Sequence, residues 1–445
     1  MGEDEIKLSR AELMRRAGAA ALLVSGVPGA RRAYGARGIP GAEAFDAEVA
    51  TAWFDLSLEL VRATPGYSPP VASRAFGCAG LTLYEAVVPG LAGFRSLVEV
   101  FPGLGHVGAG SNAAYDWPAV ANAALASILR DLFPTAPAEQ QAAIAALEAS
   151  YEGTAAPGVL TRSVRRGRDV AAAIFEWTKT DGGHEGYVRN FPPYDPPVGS
   201  GLWVRTPPGF FPALQPFWGS NRCLSIPGGG ECPPGDHPVY SEDPSSAFYA
   251  EALEVHETAT APTPEQLEIA LFWSDDPGQT ATPPGHSIAI TTQVLRGEEA
   301  SLATAAEAYA RVGAAVSDAF VACWHQKYVY NLLRPVSYLR RLFDPNWLSA
   351  LVTPPFPEYP SGHSVQSGAA FQVLTDLFGS SYAFVDHTHD RRDLPPRSFS
   401  SFFEAAEEAA ISRLYGGIHF RAAIDNGVEQ GKCIGRAVRA LALRE

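Results

Sequence analysis

Basic charge is scarce in this chain of 445 residues: 34 Lys and Arg stand against 48 Asp and Glu, a net charge of −14. A chain so short of cations is a poor match for a nucleic-acid backbone or an anionic membrane, and neither is expected as a partner. Cysteine is sparse as well. Five are present and none forms a Cys-x-x-Cys pair, which excludes a zinc-ribbon pattern and a dense disulfide framework. Cys78, Cys323 and Cys433 fall in apolar helical stretches and read as buried free thiols. Cys223 and Cys232 bracket a loop that they could close as a disulfide if the chain is exported. No apolar run is long enough to span a bilayer, so no membrane span is expected. Sustained period-2 alternation and fixed-period repeats are missing too, which leaves little room for a sheet or a solenoid.

What is present is helical pattern. Apolar residues recur at helical spacing over 47–62, 70–88, 118–132, 137–151 and 164–178, several of these stretches opening on a proline. From 181 to 244 the periodicity stops and Gly, Pro and aromatic residues crowd in, a long coil of the kind that wraps a surface or carries function. Helices resume at the capping box Thr263-Pro264-Glu265-Gln266. A long Ala-rich helix is expected over about 298–333, stopped or kinked by Pro335. Others are expected over 361–379, over 399–415 and, past Gly416-Gly417, towards Leu443. The fold class is all-α, in bundle style. Residues 1–35 read as a targeting segment, with Arg15-Arg16 ahead of the short apolar run 17–24, and imply export to the periplasm or outside the cell. The stretch Ser9–Arg15 is similar to a twin-arginine signal, with Ala11 in place of the second arginine. Residues 40–445 then form the body, with its site in about 298–445.

Three short segments carry chemistry. They are Lys327 to Arg334-Pro335, then Pro360-Ser361-Gly362-His363, then Ser412-Arg413 to His419. Lys327 and Arg334 are seven apart, which on one continuous helix puts both on one face among the apolar Trp324, Tyr328 and Leu332. Ser361 follows the stiff, proline-rich Pro354–Pro360 and is a good N-cap, so the amide of Gly362 belongs to a helix start that suits an anion. The double glycine can swing Arg413 and His419 toward one point. Fixed cations, amide donors and two imidazoles are what a tetrahedral oxyanion needs in order to be held and acted on.

In this order and spacing the segments resemble the vanadium-dependent haloperoxidases and their relatives, the type-2 phosphatidic-acid and bacterial class A acid phosphatases. Their shared pattern is Lys, six residues, Arg-Pro; Pro-Ser-Gly-His; Ser-Arg, five residues, His, and every position matches. Ser68-Pro69-Pro70 to Arg74, Tyr84-Glu85-Ala86, the block Phe272-Trp273-Ser274-Asp275-Asp276 with Thr282-Pro283-Pro284-Gly285-His286, and Arg397-Ser398-Phe399 are similar to the haloperoxidase branch. The resemblance implies two four-helix bundles in one chain and a vanadate cofactor. His419 would coordinate vanadium; Lys327, Arg334, Ser361, Gly362 and Arg413 would bind the vanadate oxygens; His363 would be the acid–base group. Trp324 and Phe356 match positions on the halide side of the pocket. Hydrogen peroxide, a halide and a small organic acceptor would be the partners, and a homodimer is open on the same ground.

One position departs from the pattern. Ala423 stands where an Asp usually follows the last His, which leaves the orientation of His419 to a main-chain carbonyl or to nothing. Two other readings use the same groups: a phosphomonoesterase with His419 as nucleophile and His363 as acid, and a secreted anion-binding protein without catalysis. Elsewhere, His387-Thr388-His389-Asp390 has metal-ligand residue types, yet Asp386, Arg391 and Arg392 make it read as a solvated loop. Asp181–Gly186 offers ligand-like residues without partners, and one of Asp275 and Asp276 is expected near the pocket as an acidic orienter.

Overall fold

The computed structural model describes residues 40–105, 114–151, 153 and 155–444; the expected targeting segment lies outside them. The body is helical: α1 Glu48–Ala63, α2 Pro69–Val87, α3 Leu97–Val100, α4 Trp117–Leu132, α5 Ala138–Ser150, α6 Pro157–Thr178, α7 Ala247–Thr260, α8 Pro264–Phe272, α9 Thr282–Gly297, α10 Leu302–Tyr330, α11 Pro335–Leu342, α12 Gly362–Phe378, α13 Phe402–Tyr415 and α14 Arg421–Arg439. Two three-residue strands, β1 Phe384–Asp386 and β2 Arg397–Phe399, pair antiparallel, and they are the only sheet among the described residues. No described helix is long and apolar enough to cross a membrane.

Helix α10 organises the rest. It packs on α2 along one side and on α12 along another; α4 and α6 complete the first group of helices, and α13 and α14 complete the second. Ala and Gly make this close approach possible. A Cβ at Gly80 would lie 2.3 Å from the Tyr309 carbonyl oxygen, and one at Gly431 would lie 2.2 Å from that of Val365, so α2 meets α10, and α14 meets α12, backbone to backbone. Phe54 stacks on Tyr309 at 3.6 Å, tying α1 to the same central helix.

Helix ends follow local chemistry. Ser301 and Ser361 accept amide hydrogens from Thr304 and Ser364, and Thr263 with Gln266 forms the expected capping box. The long helix differs from expectation: it ends at Tyr330 with Asn331 in the left-handed conformation, and Arg334 is the N-cap of α11 rather than part of α10. Helix α9 is buried on nearly all sides and so shows no apolar stripe, whereas α7, also absent from the expectation, does carry one at Phe248, Ala252, Val255 and Ala259.

The coil 181–246 wraps the body. Asp318 on α10 accepts the Leu224 and Ser225 amides, and Leu214 hands its carbonyl to Trp324 and Tyr328. Its cysteines correct the expectation above. Cys232 is bonded to Cys433 on α14, with Cα atoms 5.8 Å apart, and Cys223 is a free thiol packed against the core. Periodicity placed Cys433 on a helix but could not show that the coil crosses that helix. The bond closes 201 residues, so Cys433→Ser should lower unfolding free energy by about 2–5 kcal/mol. Denaturant titrations of the wild type with and without reductant should reproduce that loss, and the variant should be insensitive to reductant.

Candidate active site

The three segments converge at the C-terminal end of α10, the N-terminus of α12 and the break between α13 and α14. Lys327, Arg334 and Arg413 are all but completely buried, an arrangement that needs acceptors for every charge. Lys327 Nζ donates to the carbonyls of Pro357, Glu358 and Pro360 at 3.0, 2.9 and 2.5 Å. Three acceptors occupy all three hydrogens of an ammonium. Lys327 therefore reaches the site but spends its donors on the Pro-rich segment rather than presenting them to a bound anion. Arg334 Nε donates to Phe356 O at 2.8 Å and Nη1 to Ile418 O at 2.8 Å, while Nη2 is buried without a partner. Arg413 donates to Ser412 Oγ and Ala270 O. Lys327 and Arg334 converge although they do not share a helix: the Asn331 turn, not helical periodicity, sets their relation.

His419 settles the question raised by Ala423. Its Nδ1 lies 2.8 Å from Glu358 Oε1, an oxygen that also accepts the Phe420 amide at 2.8 Å. A carboxylate does orient this imidazole, but it comes from residue 358. With Nδ1–H donated there, Nε2 keeps its lone pair, and Arg334 Nη1 points at it from 3.2 Å. Ala423 instead contributes its carbonyl, which accepts the Ser361 amide and docks the start of α12. Sequence reading named Glu358 only as part of the Pro-rich approach; the available signal was an acidic residue inside an otherwise apolar segment.

His363, on the first turn of α12, has a buried and unpartnered Nε2. Gly362 packs beside Trp324, whose ring lies 4.8 Å from that of Phe356. Phe356 is also 5.0 Å from Lys327 Nζ and 4.8 Å from the Arg334 guanidinium carbon, so the aromatic pair forms an apolar wall against two cations.

Burial dominates the electrostatics. Desolvation lowers Lys327 to about 7 and Arg334 and Arg413 to about 10, and raises Glu358 to about 8. Both His363 and His419 are held well below the ordinary histidine value by burial, reinforced chiefly by Arg413 for the first and by Arg334 and Lys327 for the second. Each is a neutral imidazole. Behind them, Asp275 bonds His286 Nδ1 at 2.8 Å and Asp386 bonds its Nε2 at 2.7 Å. Burial opposes protonation of His286, but the two carboxylates raise it to about 10. Asp275 is the larger acidic influence on Arg413, with Asp276 second. Asp386 and His389 are buried here, correcting the solvated-loop reading, whereas His387 stays exposed with Asp390. Asp181 is structural: it holds Arg74 at 2.7 Å.

Buried cations, two neutral imidazoles and a helix start offer the groups that a tetrahedral oxyanion requires. Comparison with known proteins places the chain more narrowly. Residues 307–349 and 342–444 match the family model described as the VCPO second helical-bundle domain. The crystal structure of a bacterial vanadium-dependent iodoperoxidase is 34% identical, with a TM-score of 0.83, covering 90% of this chain and 98% of that one. A holo-type bacterial vanadium-dependent chloroperoxidase shares the fold, at 15% identity and a TM-score of 0.68 over 86% of this chain and 93% of that one. Among curated proteins, the vanadium chloroperoxidase of Curvularia inaequalis is 29% identical over a match spanning 37% of each chain. This chain belongs to the vanadium-dependent haloperoxidases.

Two outcomes test the His419–Glu358 pair. Glu358→Ala should weaken orthovanadate binding about 10–100-fold by calorimetry, with Glu358→Gln retaining most of it because an amide oxygen can still accept from Nδ1. A histidine neutral in the folded state and protonated near 6.5 when unfolded gives stability that is present above pH 6.5 and lost as pH falls. His419→Gln should therefore flatten the acid side of the stability profile by up to about 1.4 kcal/mol per pH unit.

Proposed function

We propose that the chain is a vanadate-dependent haloperoxidase that oxidises halide with hydrogen peroxide to hypohalite-type products. The carrying observation is that Arg334 Nη2 and His363 Nε2 are both buried and unpartnered, while His419, with Nδ1 on Glu358, turns its Nε2 lone pair toward Arg334 Nη1 at 3.2 Å. The Arg334 Nη2 donor, buried without an acceptor, costs about 1–3 kcal/mol, and an oxyanion would relieve it. The residues fit vanadate: His419 Nε2 as the nitrogen ligand, and Arg334, Arg413, Ser361, the Gly362 amide and the charge of Lys327 toward its oxygens. When bound, vanadate supplies Lewis-acid activation of peroxide toward halide without itself changing oxidation state.

The chain's own residues do the rest. Neutral His363 accepts the proton of incoming peroxide at its unpartnered Nε2, because burial keeps the imidazole uncharged at neutral pH. Lys327, fixed by three carbonyls and favoured as the ammonium once a bound anion offsets its burial, places positive charge beside Phe356, where halide would meet the oxidant. Trp324 and Phe356 exclude water from that side, which strengthens the field of the cations. Support for peroxidase over phosphatase comes from the 34% identical iodoperoxidase structure, which makes iodide the first halide to try.

Protein stripped of anions should oxidise iodide with peroxide only after incubation with orthovanadate, and His419→Ala should reduce that activity at least 1,000-fold. Hydrolysis of a phosphomonoester without vanadate, together with no halide oxidation after reconstitution, would replace this reading with the phosphomonoesterase. Orthovanadate binding with neither activity would leave an anion-binding protein.

A further inference from the structure

Behind the oxyanion pocket lies a second cluster that this chemistry does not use. Asp275, His286 and His389 each aim one potential ligand atom at a common space, these atoms lie within 4.8 Å of one another, and all three residues are buried. Asp275 Oδ1 and His389 Nε2 face each other at 3.3 Å, a long contact that is the only one either atom makes to a polar group among the described residues. A carboxylate oxygen and an imidazole nitrogen held at that distance, each without a well-formed hydrogen bond, are spaced as two ligands of one cation would be.

The surroundings are built like those of a metal ligand. His286 presents Nδ1 to the cluster while its Nε2 is held by Asp386 at 2.7 Å. Asp386 is itself fixed by the Thr388 amide at 2.9 Å and the Thr388 hydroxyl at 2.6 Å. A carboxylate on the far nitrogen of a ligating histidine is the usual outer support of a metal site. Trp273 stacks on His286 at 4.4 Å and Phe272 meets His389 edge-on at 5.0 Å, so aromatic rings shield the cluster. Asp275 sits at φ +49°, a left-handed backbone that turns its carboxylate inward.

We propose that Asp275, His286 and His389 form a second metal site, taking a divalent first-row cation such as Zn²⁺, with Asp386 as the outer carboxylate. Two nitrogens and one carboxylate suit that ion class. Asp275 and Asp386 bring two negative charges; the ion balances them, and the proton carried by His286 Nδ1 leaves to solvent when the ion binds. The site is separate from His419 and needs no oxyanion. Its place is structural: it would pin the turn from Trp273 to Asp276 behind His363 and Arg413.

The test is Zn²⁺ alone, titrated calorimetrically into chelator-treated full-length chain, with elemental analysis after dialysis. About one Zn²⁺ per chain is expected in the wild type and equally in His419→Ala and His387→Ala. His389→Gln and Asp275→Asn should each weaken binding at least 10-fold while keeping the wild-type circular dichroism spectrum. Cobalt(II) in the wild type gives a readout independent of any variant: visible bands of a nitrogen–oxygen site of low symmetry are expected. No stoichiometric Zn²⁺, a cobalt spectrum identical to that of the hexa-aqua ion, or binding lost in His387→Ala but kept in His389→Gln would each overturn the proposal.

Discussion

Everything at this site depends on how three buried cations are kept inside an acidic protein. Isolated burial of a charge costs far more than a fold can absorb, so each cation must find acceptors that are themselves fixed. For Arg413 these are Ser412 Oγ and Ala270 O; for Lys327 and Arg334 the segment Pro354–Pro360 provides them. Its carbonyls from residues 356, 357, 358 and 360 receive Arg334 and Lys327, and its one acidic side chain, Glu358, receives His419. Proline suits this task because it removes competing amide donors and restricts the backbone, so carbonyls stay turned toward the cations. Glu358 acts twice, through its main chain on Lys327 and through its carboxylate on His419 and Phe420. Two of the three cations and the orientation of His419 are thus set by one short stretch.

Much of this was legible before any coordinates. Helix starts announced themselves because capping is local: Ser361, Ser301 and the Thr263 box sit within three residues of the amides they satisfy. Seven spaced residues in three segments were enough to point to the family and to propose an oxyanion site, since their types and order have few other uses. What stayed hidden were contacts between positions distant in sequence. Glu358 meets His419 across 61 residues, and Cys232 meets Cys433 across 201. Neither pairing leaves a periodic trace. The error over Arg334 has a different origin: helical spacing was extended past Asn331, a residue tolerant of the left-handed conformation that ends α10. Reading the 386–392 loop as solvated failed because its charges divide, with Asp386 and His389 turned into the core and His387 left outside.

The long coil belongs to the same electrostatic design. It adds no charged group to the pocket, yet Leu214 accepts the indole of Trp324 and the hydroxyl of Tyr328, while its amide bonds Pro355. Both sides of the aromatic wall are therefore anchored by main chain, one through α10 and one through the Pro-rich segment. Fixing Trp324 and Phe356 fixes where water is excluded.

In the proposed reaction, that exclusion would let Lys327 serve with its donors already occupied. Surrendering a carbonyl to bond an anion directly would forfeit a charge-assisted hydrogen bond, each contributing about 1.5–3 kcal/mol. Acting through the field needs no such loss. A unit charge about 5 Å from an anion, at an effective dielectric near 20, is worth about 3 kcal/mol. Near water the same charge would contribute about a quarter of that. The apolar faces of Trp324 and Phe356 keep Lys327 in the first regime. Replacing either ring with a small polar residue should thus weaken the influence of a lysine that the substitution does not touch, and the Pro357–Pro360 carbonyls would still hold that lysine in place.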